Sequence, residues 1–328
     1  MTDGAGRGLV VGVDSGGSGL RVALARAVDG RVLETVASRE PVRTGRGGID
    51  AGHLLDRLLP AVEAMTGRAA GAGDRIVAVA VGAAGMATLG DGLRAELPGA
   101  FARAWGVRRL ALAADAVTAY AGALGQRPGA VVAGGTGLIA MGTDLSGWRR
   151  ADGWGHLLGD CGSGAWIGRA GLEAAMRAYD GRRGGSAALL ARAEELLGPA
   201  AGLPGALYPR SDRPAVLASF APGVADCAAA GDPVAVAVLE RAAGHIAEAA
   251  AAVCPADAEV EVALTGGLFK IGEPLLGPLR AELGTLLPRV REVPAAGDPL
   301  AGAVAIAGAL ATETLRLPRD PHLLELTR

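Results

Sequence analysis

Two glycine-rich segments contain the residues best suited to chemistry in this sequence. Gly16-Gly17-Ser18-Gly19-Leu20 and Gly134-Gly135-Thr136-Gly137-Leu138 match with one Ser/Thr exchange, at an offset of 118 residues from position 16 to position 134. Glycines let a turn close tightly and present consecutive N–H groups to an anion, so such turns bind phosphate without a lysine. One turn in each half indicates a triphosphate held from two sides. Each turn alone is equally well explained as a plain tight turn.

The distribution of lysine excludes several nucleotide-binding classes. Lys270, which follows Phe269, is the only lysine in the chain. A G-x-x-x-x-G-K-[ST] loop therefore cannot occur, which excludes P-loop NTPases. A protein-kinase fold needs a lysine on an early strand and is excluded on the same ground. No G-x-G-x-x-G sequence opens a helix after a predicted strand, which argues against a dinucleotide-binding Rossmann fold.

Three aspartates lie where a carboxylate could take part in phosphoryl transfer, which needs a base, Mg²⁺ and groups that neutralise charge. Asp115 follows the apolar segment Arg109–Ala113 and is the candidate base, with a helix N-cap as the alternative. Asp14 ends the first predicted strand and is the candidate Mg²⁺ partner through bound water, because Mg²⁺ prefers oxygen ligands and keeps much of its hydration. Asp160, in a Gly-Asp-Cys-Gly loop, could accept hydrogen bonds from two hydroxyl groups or pair with an ammonium group. Asp14 and Asp160 could also be ordinary turn residues.

The pattern of apolar residues predicts a mixed α/β chain in which each glycine turn joins the two strands of a hairpin. The predicted strands are Leu9–Asp14, Leu20–Ala27, Arg75–Val81, Arg109–Ala113, Ala130–Ala133, Ile139–Gly142 and Glu259–Leu264. The predicted helices are Asp91–Trp105, Val117–Leu124, Gly164–Asp180, Pro233–Val253 and one from Pro299, followed by a short tail. Asp232 is the predicted N-cap of the helix at Pro233. Gly181–Gly185 and Leu203–Pro214 are predicted loops.

Composition limits the kinds of partner. The chain has 328 residues, half of them apolar, which suffices for two domains with hydrophobic cores. A formal net charge of −2 without basic clusters argues against nucleic-acid and anionic-membrane binding. Cys161, Cys227 and Cys254 form no C-x-x-C pair, so neither a zinc cluster nor a disulfide framework is indicated. The polar N-terminus and the charged residues within 234–253 argue against a signal peptide and a membrane span, so we expect a cytoplasmic protein.

Five motifs occur in an order typical of one superfamily. They are Val11-Gly12-Val13-Asp14-Ser15-Gly16-Gly17-Ser18, Ala114-Asp115-Ala116, Val132-Ala133-Gly134-Gly135-Thr136-Gly137, Leu264-Thr265-Gly266-Gly267-Leu268 and Asp298-Pro299-Leu300-Ala301-Gly302-Ala303. They resemble the first phosphate, first connecting, second phosphate, adenosine and second connecting motifs of the actin, hexokinase and heat-shock protein superfamily. Within it the chain resembles the N-acetylglucosamine kinase and BadF-type ATPase family. The segment from Gly153 to Gly168 is similar to the sugar-contacting segment of amino-sugar kinases, with Cys161 where those enzymes usually have glutamate.

The resemblance implies an α/β fold of two duplicated ribonuclease H-like, actin-like ATPase domains with an active-site cleft between them. The expected ranges are an N-terminal domain at 1–116, a C-terminal domain at 117–300, and a C-terminal helix and tail at 301–328 that return to the N-terminal domain. ATP and Mg²⁺ are the expected cofactors, and closure of the domains is expected to align the reactants. A homodimer is expected from the resemblance alone.

The resemblance also implies the roles of individual residues. Asp115 is the expected catalytic base, and Asp14 is expected beside Mg²⁺. The expected ATP-binding residues are Ser15, Gly16, Gly17, Ser18, Gly135, Thr136, Gly266, Gly267 and Lys270. The expected acceptor-binding residues are Gly134, Thr136, Gly137, Gly155, His156 and Asp160. Alternatives are a turn hydroxyl for Thr136, a packing or surface histidine for His156, a solvated lysine for Lys270, and core positions for Trp154 and Trp166.

The expected acceptor is a small amino sugar, phosphorylated at its 6-hydroxyl group. Glucosamine is favoured over N-acetylglucosamine, because Thr44-Gly45-Arg46-Gly47-Gly48 lacks the Asn and Trp of the acetamide pocket in the N-acetylglucosamine enzyme. The first alternative class is an ATP-driven activator of a redox enzyme, since BadF-type relatives hold an iron–sulfur cluster between subunits through two cysteines per chain. The second is a sugar-responsive regulator, against which the lack of a DNA-binding segment before Leu9 argues.

Overall fold

The computed structural model describes residues 8–17, 19–45, 47–255 and 260–327, which pack into two compact units. The first unit contains the described residues up to Pro128, the segment Thr143–Trp148 and the chain from Pro294 onward. The second contains Gly129–Gly142 and Arg149–Val293. The division falls after Pro128 rather than after residue 116, because the helix between these positions packs within the first unit. The predicted domain ranges stay predictions.

Strands and helices follow one another along the described chain. The strands are β1 (Gly8–Gly16), β2 (Gly19–Arg26), β3 (Val32–Ser38), β4 (Thr44–Gly45), β5 (Gly48–Ile49), β6 (Arg75–Ala83), β7 (Arg109–Ala114), β8 (Gly129–Gly134), β9 (Leu138–Thr143), β10 (Trp148–Asp152), β11 (Val260–Thr265), β12 (Val290–Pro294) and β13 (Leu324–Thr327). The helices are α1 (Ala51–Ala69), α2 (Met86–Leu89), α3 (Asp91–Trp105), α4 (Asp115–Leu124), α5 (Gly164–Tyr179), α6 (Ala187–Leu197), α7 (Leu203–Leu207), α8 (Arg213–Ser219), α9 (Ala221–Ala229), α10 (Pro233–Val253), α11 (Glu273–Leu286) and α12 (Pro299–Ala311). Short 3₁₀ helices lie at Ala200–Gly202 and Gly267–Ile271.

The first unit is built on a sheet with the strand order β13-β7-β6-β1-β2-β3. β1 and β2 form an antiparallel hairpin that closes at Gly16 and Gly19, as the sequence predicts. β1, β6 and β7 run parallel to one another. Leu9 to Val13 are buried without alternation, which is typical of a strand covered on both faces. Residues that follow the parallel strands β1, β6 and β7 therefore meet at the carboxyl ends of these strands.

Helices α4 and α12 cross at two glycines in the first unit. A Cβ atom on Gly122 of α4 would lie 2.1 Å from the carbonyl oxygen of Asp298. A Cβ atom on Gly302 of α12 would lie 1.9 Å from the carbonyl oxygen of Thr118. Only a residue without Cβ permits backbones to approach so closely. The crossing fixes the start of α12 against α4, and with it the residues at the ends of both helices.

The second unit is built on a sheet with the strand order β10-β9-β8-β11-β12. This order repeats that of the first sheet, in which β3-β2-β1 are followed by β6 and β7. β11 is parallel to β8, as β6 is parallel to β1. The two glycine turns, between β1 and β2 and between β8 and β9, therefore occupy equivalent places in two related α/β units. The predicted fold class is confirmed.

A helical layer centred on α10 completes the core of the second unit. The Oδ1 atom of Asp232 accepts a hydrogen bond from the Ala235 N–H at 2.8 Å, which confirms the predicted N-cap. Cys227 and Cys254 pack into this core, and burial raises the pKa of the Cys254 thiol to about 11. Both cysteines therefore behave as small apolar core residues.

Among the described residues, no single helix is both long and apolar enough to cross a bilayer. Arg213–Ala229 and Pro233–Val253 reach the required length and composition only as a pair, which is bent by 120°.

Three predicted elements differ from those observed. α4 starts at Asp115 rather than at Val117, and Ala114 occupies the N-cap position. The segment Leu203–Pro214, predicted as a loop, contains α7 and the start of α8. The predicted tail contains β13, which pairs antiparallel with β7 and is too short to be recognised without its partner strand. Glu259, the predicted start of β11, lies outside the described residues.

Candidate functional site

Asp14 and Asp115 lie at the carboxyl ends of two parallel strands of the first sheet, β1 and β7. Asp14 is level with Gly82 of β6, and Ala83 of β6 is level with Ala114 of β7. Asp115 follows Ala114 directly and is half-buried at the first position of α4. With one strand between β1 and β7, ordinary strand spacing separates the two backbones by about 10 Å. The first unit therefore brings together the predicted base and the predicted metal partner.

The carboxylate of Asp14 is held by an arginine that the sequence analysis did not single out. Arg21, directly opposite Asp14 on β2, donates from Nε at 3.0 Å and from Nη2 at 2.6 Å to Asp14 Oδ2. Its Nη1 donates to Oδ2 of Asp298 at 2.5 Å. Asp298 also caps α12, with Oδ1 accepting from the Ala301 N–H at 2.9 Å. Arg21 thus joins the end of β1 to the start of α12.

The charged side chains of this cluster shift the pKa values of Arg21 and Asp298. Burial alone would lower the pKa of Arg21, but the hydrogen bonds and charges of Asp14 and Asp298 outweigh burial and raise it. Burial would raise the pKa of Asp298, but the Ala301 N–H and Arg21 outweigh burial and lower it. Asp298 therefore stays ionised, and Arg21 stays charged between the two carboxylates.

The first glycine turn is open, with a buried hydroxyl at its base. Ser15 is 1% exposed, and its Oγ has no hydrogen-bond partner among the described residues. A Cβ atom on Gly16 or Gly17 would meet no atom within 4 Å. An orphaned hydroxyl beside open backbone is suited to a polar ligand, because an unpaired buried hydroxyl is costly. Ser18 lies outside the described residues.

The alternative interpretation of Asp115 as an N-cap does not hold in this structure. Ala114 is the N-cap of α4, and Asp115 Oδ1 accepts from the N–H of Ala116 at 2.9 Å. A carboxylate in the first helical turn is stabilised by the partial positive charge of the helix N-terminus. The Oγ1 atom of Thr118, which is fully buried, donates to the Asp115 carbonyl oxygen at 2.9 Å.

The second glycine turn is docked on the N-terminus of α5. The Gly164 N–H donates to the carbonyl oxygen of Gly135 at 2.9 Å, and the Ala165 N–H donates to that of Thr136 at 3.1 Å. The Gly135 N–H donates to the Gly137 carbonyl oxygen at 2.9 Å. This N–H group is therefore already paired, whereas the sequence predicted that it would be available to bind an anion. A Cβ atom on Gly137 would lie 2.6 Å from Asp160 Oδ2. The carboxylate of Asp160 therefore lies directly beside this turn.

Asp160 belongs to a loop that Asp152 holds in place. Asp152, at the end of β10, accepts from the N–H of Asp160 at 2.5 Å and from the N–H of Cys161 at 2.8 Å. Asp160 has a left-handed backbone (φ 54°), and its Oδ1 accepts from the Gly155 N–H at 3.1 Å. Burial raises the pKa of Asp160, with a contribution from the charge of Asp152, while the Gly155 N–H and His156 lower it.

The predicted adenosine motif adjoins the second glycine turn. Gly266 has φ 103°, and a Cβ atom on it would lie 2.1 Å from the carbonyl oxygen of Gly134. Gly267 is open, with no atom within 4 Å of its Cβ position. Lys270 is exposed and makes no hydrogen bond or ion pair with another described residue, as the solvated interpretation expects. Backbone rather than side-chain groups form this part of the site.

A groove of about 800 Å³ borders the loop that contains Asp160. His156 and Cys161 line it together with residues of α5, α7 and α8. Trp166 also lines the groove and is half-buried against the core. Its ring meets that of His245 edge-on, with 5.1 Å between the ring centroids. Trp154 is 62% exposed below the guanidinium of Arg150, so it is not a core residue. The groove adds apolar surface next to the candidate acceptor residues.

The cluster around Asp14 fits a hydrated Mg²⁺ ion. Among the described residues, no group of three or more His, Cys, Asp or Glu side chains could hold a metal by itself. Nucleotide sites usually bind Mg²⁺ through one or two carboxylates, water and phosphate oxygens. Asp14, two residues before Gly16 of the open turn, and Asp298, joined to Asp14 through Arg21, would supply the carboxylates of such a site.

Sequence reasoning missed three contributors to these clusters: Arg21, Asp152 and Asp298 as an ion-pair partner. Arg21 could have been found, because a hairpin closed by Gly16 and Gly19 places residue 21 opposite residue 14. Asp152 carries no such local signal, since its two acceptor contacts arise from a loop that folds back by eight and nine residues.

The two units, each with a glycine turn between neighbouring strands of an equivalent sheet, define a protein of the actin-like ATPase class. A family model describes the "BadF/BadG/BcrA/BcrD ATPase family" and matches residues 11–310. The chain belongs to this family.

Two solved structures are similar to nearly the whole chain, and one curated relative is similar to a part of it. A protein of Chromobacterium violaceum described as an N-acetylglucosamine kinase is 30% identical, with 92% of this chain and 98% of that chain covered and a TM-score of 0.71. A ROK family glucokinase from Streptomyces griseus is 21% identical over 93% of this chain and 99% of its own, with a TM-score of 0.52, which shows the shared fold. An N-acetylmuramic acid/N-acetylglucosamine kinase of Clostridium acetobutylicum is 44% identical over 69 residues, 21% of this chain. The chain spans only 22% of the length of that curated relative.

Proposed function

We propose that this protein is an ATP-dependent sugar kinase that transfers the γ-phosphoryl group to the 6-hydroxyl group of glucosamine. The observation that supports the proposal is the position of the Asp160 carboxylate, the predicted acceptor-binding group, beside the Gly134–Gly137 turn that the sequence predicts to face phosphate. The relatives of this chain that are described as sugar kinases support the same reaction class.

In this mechanism, Asp115 accepts the proton of the 6-hydroxyl group as its oxygen attacks the γ-phosphorus. The bond from the γ-phosphorus to the β,γ-bridging oxygen breaks, and ADP leaves. Because this chemistry depends mainly on positioning and charge neutralisation, the open glycine turn at Gly16 and Gly17 and the Ser15 hydroxyl bind phosphate oxygens. When bound, Mg²⁺ would supply charge neutralisation for the phosphates, and Asp14 would hold it through water. Arg21 fixes the position of the Asp14 carboxylate through its two hydrogen bonds.

Asp160 provides the reason to favour an amino sugar. Its carboxylate is buried, and its hydrogen-bond partners among the described residues are the backbone N–H groups of Gly155 and Leu138. A buried carboxylate gains most from a charged partner, such as the ammonium group of glucosamine. The Thr44–Gly48 segment offers neither aromatic nor amide side chains for an acetyl group. N-acetylglucosamine is the alternative acceptor, because the Chromobacterium violaceum protein is described as its kinase.

A coupled assay of ADP release tests the reaction and the acceptor together. We expect glucosamine to stimulate ADP release from ATP and Mg²⁺ more than N-acetylglucosamine, N-acetylmannosamine, glucose or no sugar. Chelation of Mg²⁺ with EDTA should remove the stimulated rate, and restored Mg²⁺ should return it. A higher kcat/KM with N-acetylglucosamine would reject the acceptor. ADP release that no sugar increases would reject the kinase.

Replacement of Asp152 by asparagine should weaken acceptor binding. The asparagine side chain can accept only through its one oxygen, so one of the N–H groups of Asp160 and Cys161 loses its partner and the loop loses a fixed position. We expect KM for the acceptor to rise about tenfold, the effect of about 1.4 kcal/mol, with KM for ATP unchanged. Asp144→Asn is the matched control, since Asp144 also accepts from a turn N–H but is fully exposed. An equal rise in both KM values would contradict this role.

A further inference from the structure

A separate pocket of about 320 Å³ lies within the first unit, between the start of β7 and the end of α12. Three arginines and one glutamate supply its charged groups, which gives them a net charge of +2: Arg108, Arg109, Arg319 and Glu313. Leucines supply most of its apolar wall: Leu310, Leu315, Leu317 and Leu326. None of these residues takes part in the mechanism proposed above.

The arginines of this pocket differ in their pairing. Arg109 donates from Nη2 to Glu313 Oε1 at 2.6 Å and from Nη1 to the Ala311 carbonyl oxygen at 2.6 Å, so it is a structural residue. Arg108 and Arg319 are exposed, and neither guanidinium makes a hydrogen bond or ion pair with another described residue. A guanidinium stays charged at any physiological pH and offers five donors. The pocket therefore offers two guanidinium groups for a ligand next to an apolar surface of leucine side chains.

We propose that this pocket binds a small organic phosphate, with Arg108 and Arg319 on the phosphate group and the leucines against the carbon skeleton. A phosphate monoester carries a charge close to −2 at neutral pH, which matches the net charge of the lining, and guanidinium groups bind phosphate through paired hydrogen bonds. The volume is at the lower end of that found for ligand pockets, which suits a single metabolite rather than a polymer.

The pocket lies at the far end of two elements that carry candidate catalytic residues. β7 starts at Arg109 and ends just before Asp115, and α12 starts after Asp298 and ends at Ala311. The 13 residues of α12 span about 20 Å. A ligand in this pocket is therefore too far from the first glycine turn to compete directly for nucleotide phosphates. Its binding can be measured without ATP or an acceptor, independently of the proposed kinase activity.

Isothermal titration calorimetry of the whole chain with fructose 6-phosphate, without nucleotide or Mg²⁺, tests the site. We expect binding that is stronger than that of inorganic phosphate, which lacks a carbon skeleton, and none for fructose. The double variant Arg108→Gln/Arg319→Gln should lose at least about tenfold in affinity, since charge-assisted hydrogen bonds are lost. Arg316→Gln is the matched control, because Arg316 is exposed on the same segment but does not line the pocket.

Several outcomes would overturn the assignment. These are no binding of fructose 6-phosphate by the wild-type chain, equal affinity of the wild type and the double variant, or equal affinity for inorganic phosphate and the ester. Circular dichroism spectra that match the wild type would show that loss of binding in the double variant is not loss of folding. Both substituted side chains are exposed, so we expect unchanged spectra.

Discussion

Asp115→Asn is expected to lower kcat by about 10²–10⁴-fold, the usual contribution of a positioned general base. Asparagine preserves the shape and the polar contact with the Ala116 N–H but cannot accept a proton from the acceptor hydroxyl. The open glycine turn and the Asp14–Arg21 pair are unchanged, so nucleotide binding should persist. Steady-state ADP release gives kcat, and calorimetric titration with ATP and Mg²⁺ gives nucleotide affinity.

Asp91→Asn is the control for Asp115→Asn. Asp91 is also the first residue of a helix in the first unit, and the substitution removes one negative charge there too. Asp91 is exposed, however, and its one ion-pair partner among the described residues is Arg94. We expect its kcat to equal that of the wild type. Wild-type turnover in Asp115→Asn would reject Asp115 as the base. Loss of ATP binding in that variant would instead indicate a role in holding the nucleotide.

Gly302→Ala should destabilise the protein by about 3 kcal/mol or more. This exceeds the usual cost of overpacking, because the new methyl group would clash with backbone atoms and not with side chains that can move. The new Cβ atom would lie 1.9 Å from the Thr118 carbonyl oxygen and 2.5 Å from the Gly122 nitrogen, and neither atom can move without shifting α4. The gain in helix propensity, about 1 kcal/mol, is too small to compensate. Thermal and denaturant unfolding, followed by circular dichroism, measure the loss.

Gly308→Ala separates packing from helix propensity. Gly308 is also buried within α12, but the nearest atom to its Cβ position outside the helix is the Ala27 carbonyl oxygen at 3.6 Å, an ordinary contact. We expect Gly308→Ala to be neutral or to stabilise by up to about 1 kcal/mol. Equal stability of the two variants would contradict the close crossing of α4 and α12.

Local patterns in the sequence were enough to identify the repeated turns and most elements near them. The hairpin at Gly16–Gly19, helix α3 and the capped helix α10 follow from short-range periodicity and turn chemistry, and their observed bounds agree with the predicted ones to within two residues. α7, α8 and β13 were missed because they are short and depend on partners far away in sequence, such as β7 for β13. Short elements have little propensity of their own, so packing decides them.

Some features of the candidate site were likewise evident from the sequence, and others only from the folded structure. By itself the sequence determined the chemical groups: two glycine turns, aspartates at strand ends and in a glycine loop, and no lysine available for a P-loop. Only the tertiary structure decided which groups meet, namely Arg21 with Asp298 across 277 residues and Asp160 with Gly137 and Asp152. The physical reason is that residue type and turn geometry act over a few residues, whereas ion pairs and backbone contacts between distant segments exist only once the sheets and helices have packed.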